Sequence, residues 1–301
     1  MDSPRSVGLQ FMQQPAKASL PSDLQAKADI EHCLKNGYVV LKSVFSLDEA
    51  AEAKAEIVRL SGKFPVAGRN SFEGLKTNRI YSLLIKSRVF DKFTTLPRVL
   101  ALNDYFLSPG YLISAMHTIQ INPGEEPQEL HHDDGFCHIP RPRPPLGSAI
   151  IVALDDFTTH NGATNLVPQS HLWDSKRRPD RSEIIPAVME AGSVVYFLAT
   201  TWHCGGANKT DKPRQSLTVQ YCQPYIRQIE NMMLAIDPRK IEKGEIPKRI
   251  VEMLGYQVQP PFIGYVDGLS PKAGMKRMVK WMQGPVDYNP PTFMHTVDSK
   301  L

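Results

Sequence analysis

Gln128-Glu129-Leu130-His131-His132-Asp133-Asp134-Gly135-Phe136 is the stretch on which the reading of this chain turns. It is answered downstream by Trp202-His203-Cys204-Gly205-Gly206 and Lys212-Pro213-Arg214. Alternate residues of an extended segment share a face, so a His-x-Asp pair on a strand offers an imidazole and a carboxylate to one point. A distant third histidine makes two nitrogens and one oxygen, the facial donor set of non-haem Fe(II) oxygenases, which leaves the opposite positions open. An arginine shortly after it can grip a carboxylate through its planar fork. The spacing admits two registers, His131 with Asp133 or His132 with Asp134, and does not choose between them.

Outward from this stretch the texture is that of short strands. Tyr111–Ile121 reads as a strand closed by Asn122-Pro123-Gly124, and further strands are expected at Gln128–His132, Ser148–Leu154, Ser193–Leu198 and Ser216–Cys222, with Pro, Gly and Asn turns between them. Upstream lie helices: one capped by Ser22 and stopped at Gly37, one opened by the capping box Ser46-Leu47-Asp48-Glu49 and running to about Ser61, and one over Leu96–Leu107. Tyr38–Leu41 is a short strand, Gly62 to Gly74 a loop, and residues 225–285 return to helical patterning, notably Ile246–Leu254. The fold class expected is mainly β with flanking helices, a closed or double-sheet jelly roll that hides its sheet edges and keeps a mouth for a site. One domain spans 1–301, with an irregular arm over 1–20 and a flexible tail over 286–301.

Bulk properties narrow the class. The chain has 301 residues, 42% hydrophobic, and a formal charge of +4 from 35 basic and 31 acidic residues. So mild and scattered a surplus argues against a nucleic-acid partner, and Lys176-Arg177-Arg178 reads as a solvated loop. No apolar run is long enough for a membrane span. Cys33, Cys137, Cys204 and Cys222 form no CxxC pair, so free thiols in a reducing compartment are expected, with Cys204 and Cys137 as filler rather than metal ligands. The final Ser299-Lys300-Leu301 is a peroxisomal address, with the cytoplasm as the alternative location. A homodimer is a possible partner state, with Met275–Met282 as the candidate contact.

Three blocks in order, Gln128–Phe136, Asp155–Thr164 continuing through Pro168–Trp173, and His203–Arg214, resemble the phytanoyl-CoA dioxygenase family of Fe(II)/2-oxoglutarate-dependent oxygenases, including its fungal natural-product members. The resemblance covers roughly residues 30–225 and implies a double-stranded β-helix of the cupin-like type. It also implies the register: the family's first histidine follows a glutamine by three residues, here Gln128, so His131, Asp133 and His203 become the iron ligands. Asp134 then becomes a supporting turn residue and His132 a neighbour on the opposite face. Arg214, eleven positions after His203, is placed on the distal carboxylate of 2-oxoglutarate, with Gln128 and Thr164 as further contacts. A buried carboxylate needs such a charge partner to offset desolvation.

The resemblance implies Fe(II) as cofactor, 2-oxoglutarate and O2 as cosubstrates, and ascorbate as the reductant in vitro. Oxidative decarboxylation to succinate and carbon dioxide would drive attack on an unactivated C–H bond. The substrate expected is a small hydrophobic natural product such as a terpenoid or alkaloid, undergoing hydroxylation, desaturation or oxidative cyclisation. The alternatives are 2-hydroxylation of a peroxisomal fatty acyl-CoA and a non-catalytic metal-binding barrel. Arg79 and Tyr81, in the Lys76–Leu84 loop and strand, are the candidate substrate contacts. His117 and His171 read as structural, His160 as a turn residue, and His138 as bordering the mouth within the Pro-rich run that follows it.

Overall fold

The structure, a computed structural model, describes residues 18–61 and 70–283. The expectations for the N-terminal arm up to residue 17, for most of the Gly62–Gly74 loop, and for the tail with Ser299-Lys300-Leu301 lie outside those residues.

In chain order the main elements are helix α1 (Leu24–Asn36), strand β1 (Tyr38–Leu41), α2 (Leu47–Ser61), β2 (Thr77–Asn78), α3 (Leu83–Lys86), α4 (Pro97–Phe106), β3 (Leu112–Ile121), β4 (Gly147–Ala153), β5 (Thr164–Leu166), β6 (Ile185–Pro186), β7 (Val194–Leu198), β8 (His203–Gly205) and β9 (Arg214–Cys222). Four further helices follow, α5 (Met232–Ala235), α6 (Pro238–Glu242), α7 (Lys248–Met253) and α8 (Pro271–Gln283). The strands form two antiparallel sheets, a six-stranded one in the order β1-β7-β4-β9-β3-β2 and a three-stranded one in the order β6-β5-β8.

The central strands explain why the large sheet is buried on both faces. Along β4, Ala149, Ile151 and Ala153 belong to a core cluster with Phe157, Leu166, Val195 and Phe197, on the side of the small sheet. The alternate residues Ile150 and Val152 join Val194, Tyr196, Leu198, Leu217 and Val219 in a larger cluster beneath the helices. A strand covered twice reads as a continuous apolar run, and every residue of β4 and β7 is buried. On β9 the alternation separates functions: Leu217, Val219 and Tyr221 face the helices, while Arg214, Thr218 and Gln220 line the cavity between the sheets.

Strand β3 departs from simple alternation. Its register with β9 shifts between Ile113 and Ala115, leaving Ser114 as a bulge. The inserted residue reverses the faces beyond it. Ile113 and Met116 therefore both lie in the helix-side core, whereas Ala115, His117 and Ile119 line the cavity. Strict period-two reading would have put Ile113 on the cavity side.

Local signals mostly hold. Ser46 and Glu49 form a reciprocal capping box, with Ser46 N–H donating to Glu49 Oε2 at 2.8 Å and Glu49 N–H to Ser46 Oγ at 3.2 Å. The first helix is capped one residue later than Ser22, by Asp23, whose carboxylate accepts from Ala26 N–H at 2.7 Å. The strand expected at Gln128–His132 is reduced to an isolated bridge at His131, and Asp133–Phe136 is a turn. The Lys76–Leu84 strand is only Thr77–Asn78, followed by the short helix α3.

Gly37 ends α1 at φ 83°, and a Cβ there would lie 2.6 Å from both His171 Nδ1 and Thr201 Oγ1. Its carbonyl also accepts from Leu198 N–H and Thr201 Oγ1. Gly37→Ala is expected to cost about 2 kcal/mol or more in a urea titration, from a left-handed backbone and a close approach together.

Candidate metal centre and its cavity

The turn after the bridge brings Asp133 beneath two histidines. The backbones of His131 and His203 bond reciprocally, His131 N–H to His203 O at 3.0 Å and His203 N–H to His131 O at 2.8 Å, so their rings stand 4.4 Å apart between centroids. Asp133 Oδ1 lies 3.9 Å from His131 Nε2 and 3.5 Å from His203 Nε2. One ligand atom from each residue falls within 4.8 Å of the others, close enough to share one ion.

Both imidazoles are held in the tautomer that a metal needs. His131 Nδ1–H donates to Glu129 O at 2.8 Å and His203 Nδ1–H to Thr201 O at 3.0 Å, which leaves each Nε2 lone pair turned toward Asp133. Burial, helped by the neighbouring His203, pushes the His131 pKa down to about 4, so the ring is neutral at ordinary pH. His132 and Asp134, the competing register, do something else. His132 Nδ1–H donates to Asp134 Oδ1 at 2.9 Å, Arg143 reaches Asp134 Oδ2 at 2.7 Å, and Leu146 N–H adds a third contact at 3.4 Å. This buried ion pair locks the turn.

At the far end of β9 lies Arg214, 2% exposed. Its guanidinium donates to Ser216 Oγ at 2.6 Å and to Gly162 O, and stacks 4.0 Å over the Phe157 ring. Its Nε has no hydrogen-bond partner, and among the described residues no carboxylate pairs with it. Asp155, an acid whose charge acts on it, is itself paired with Lys54 at 2.5 Å. Burial pushes the Arg214 pKa down to about 9, which still leaves a cation at neutral pH. A buried positive charge without an anion is costly, and a small dicarboxylate is the group that would answer it.

Arg214 and the three metal-competent residues line one cavity of about 460 Å³, in the range of small-molecule sites. Thr164 and Gln128 line it as well. The Gln128 amide is nevertheless engaged with backbone: it accepts from Gly205 N–H at 2.8 Å and donates to Phe72 O at 2.7 Å. It acts here as a clamp between the mouth and β8 rather than as a free polar contact.

Arg79 and Tyr81 also face the cavity, in a cluster that includes His117. Arg79 Nη1 donates to His117 Nε2 at 2.7 Å, the Tyr81 and His117 rings stack at 4.7 Å, and the Tyr81 hydroxyl bonds Glu73. The sequence reads His117 as structural. It is buried and neutral, held so by burial first and by Arg79 second, yet it stands in the cavity wall because of the Ser114 bulge. No local pattern in the sequence announces that.

The remaining histidines and thiols follow expectation more closely. His171 ties its loop to α1 through Leu34 O at 3.0 Å, and His160 is an exposed turn residue bonded to Thr159. His138, expected to border the mouth, does not: the chain leaves the cavity lining after Phe136, and His138 is exposed outside it. Cys204 is buried and its thiol pKa is raised by burial, as suits filler. Within the Pro-rich run, Arg141 is buried and pins the loop by donating to Ser170 O and Thr200 O at 2.7 and 2.5 Å.

Residues 33–216, more than half of the chain, match the phytanoyl-CoA dioxygenase family, PhyH. The chain belongs to the phytanoyl-CoA dioxygenase family. Among the relatives of this dioxygenase, the Dioxygenase trt7 of Aspergillus terreus is 32% identical over 195 residues, 61% of this chain and 68% of that protein. The Dioxygenase FUM3 of Gibberella moniliformis is 29% identical over 245 residues, 75% and 81% of the two chains. The crystal structure of the epimerase SnoN with Fe3+, alpha ketoglutarate and nogalamycin RO has a TM-score of 0.56 at 23% identity, covering 66% of this chain and 84% of that one. The carbocyclase SnoK from nogalamycin biosynthesis has a TM-score of 0.55 at 17% identity, covering 70% and 88%. These share the double-stranded β-helix fold. The protein is thus an Fe(II)- and 2-oxoglutarate-dependent dioxygenase that consumes O2, and the donor set and the unanswered guanidinium suit both groups.

The Asp134 lock has a pH signature. Burial opposes ionisation of its carboxyl, but His132, Arg143 and the Leu146 N–H outweigh it and hold the pKa below the ordinary value. A depressed folded pKa stabilises above the unfolded value of about 4, and that contribution fades as pH falls through the folded one. Asp134→Asn is therefore expected to lose about 3 kcal/mol at pH 7 in chemical denaturation, with the gap to the unsubstituted protein closing below about pH 4.

Proposed function

We propose that this dioxygenase oxidises an unactivated C–H bond of a small hydrophobic natural product of the terpenoid or alkaloid kind, with Fe(II) held by His131, Asp133 and His203 and the distal carboxylate of 2-oxoglutarate held by Arg214. The observation that carries the assignment is Arg214 itself, a buried cation that forms no ion pair among the described residues and lines the same cavity as the His-Asp-His cluster. Iron held by these residues would supply the oxidising power, drawn from O2 and the conversion of 2-oxoglutarate to succinate and carbon dioxide. The chain binds, orients and shields: Arg214 anchors the keto acid, Thr164 borders it, and the apolar walls Ile119, Ile151 and Phe197 exclude water.

The lining also bears on substrate class. Phe72, Phe136 and Ile229 are 51%, 61% and 59% exposed, and all three line the cavity, which offers apolar surface to a hydrophobic guest. Among the lining residues the cationic arginines, Arg79 and Arg214, are buried inside, whereas Glu126 is exposed and Glu73 partly so. An acyl-CoA carries several phosphate charges that such acids would repel. This favours a natural product without phosphates over the thioester. The Arg79–His117–Tyr81 wall would orient a polar function of the substrate.

The test combines two measurements. With Fe(II), ascorbate and 2-oxoglutarate, Arg214→Gln is expected to raise KM for 2-oxoglutarate at least about tenfold, since truncating one partner of a buried charge pair is costly. An unchanged KM sinks the role given to Arg214. Mass analysis of products from a terpenoid and alkaloid panel beside acyl-CoA thioesters decides the substrate. Turnover confined to the thioesters overturns the natural-product reading.

A further inference from the structure

Each imidazole of the proposed metal site is oriented by a backbone carbonyl, but the carboxylate has no such help. Asp133 projects from a turn rather than from a strand, and among the described residues one side-chain hydrogen bond reaches its carboxylate beyond the histidines: Gln220 Nε2 donates to Asp133 Oδ2 at 3.3 Å. We propose that Gln220 is the positioning residue for Asp133, engaging Oδ2 so that Oδ1 stays turned toward the two imidazole nitrogens. The inference rests on the proposed assignment of His131, Asp133 and His203 to iron.

Gln220 is placed for this by the sheet. It lies on β9, the strand flanked by β3 and β4, and its register partners are Ala115 on one side and Ala149 on the other. Two methyl side chains leave lateral room for a long side chain to cross to the turn. The Ser114 bulge is what brings Ala115 opposite Gln220. Its backbone is held by a ladder on both sides, so the amide has a rigid base, unlike a group carried on a loop. A polar side chain on a largely buried sheet face is costly unless it finds a partner, and Asp133 is that partner. The amide is also neutral. It fixes the carboxylate by a hydrogen bond without cancelling the negative charge that a metal ion requires, which an arginine or lysine at the same place would do.

The consequence is measurable without turnover. Gln220→Met keeps approximate length and removes the donor, and Gln220→Asn keeps polarity but withdraws the amide from reach. Anaerobic titration of the metal-free protein with Co(II), followed by its visible absorption, is expected to show affinity weakened by about tenfold or more in both variants, with altered ligand-field bands, while thermal unfolding of the metal-free proteins is little changed. Co(II) affinity within twofold of the unsubstituted protein, with superimposable spectra, overturns the proposal. If Gln220→Met does not fold, Gln220→Asn decides the same comparison. Asp133→Ala runs alongside: if it binds Co(II) unchanged, the metal assignment itself fails, whereas loss there with unchanged Gln220 variants rejects only the role of Gln220.

Discussion

The reciprocal backbone bonds between His131 and His203 are the constraint on which the site depends. They stitch the turn carrying Asp133 onto the first residue of β8, and so bring together two imidazoles that are 72 positions apart in the chain. The same extended geometry puts a carbonyl within reach of each Nδ1, Glu129 O for one ring and Thr201 O for the other. One short piece of antiparallel pairing thereby sets ring separation, tautomer and direction of the lone pairs at once. The Gln128 clamp to Gly205 and the Asp134–Arg143 pair hold the segment on either side of it.

The large sheet divides its labour by face. Toward the helices it presents branched and aromatic side chains that form the main core, and toward the small sheet it presents a graded surface. That surface is apolar along β4 and β7 and polar along β9, where Arg214, Thr218 and Gln220 line the cavity from one strand face. A pleated strand can carry such a row without disturbing the core because its other face remains Leu217, Val219 and Tyr221. Stability and chemistry are thus written on opposite sides of the same strand, and the cost of burying Arg214 is borne where a dicarboxylate can offset it.

Much of this was legible beforehand. Gly37 and the Ser46–Glu49 box marked helix ends correctly because capping is local, a matter of backbone hydrogen bonds satisfied within a few residues. The strands β1, β3, β4, β7 and β9 were recognisable from apolar runs. Strands β5, β6 and β8, two or three residues each, are too short for any period to show, so the second sheet that a jelly roll requires could not be placed on particular residues. The His131, Asp133 and His203 cluster follows from the family resemblance, whereas strand alternation left two registers open and does not describe the local structure. Asp133 reaches the histidines through a turn, not through strand alternation.

The donor chemistry is written in the amino-acid order: which imidazoles, carboxylate and guanidinium the chain possesses, and the short-range caps and turns that place them on particular elements. Tertiary structure alone decided which of them converge. The Ser114 bulge turned His117 into the cavity, the sheet register set Gln220 across from two alanines and within reach of Asp133, and the packing buried Arg214 with no ion pair among the described residues. Those outcomes depend on pairing between strands far apart in the chain, and a pattern of local periodicity carries no information about which distant residue will stand opposite.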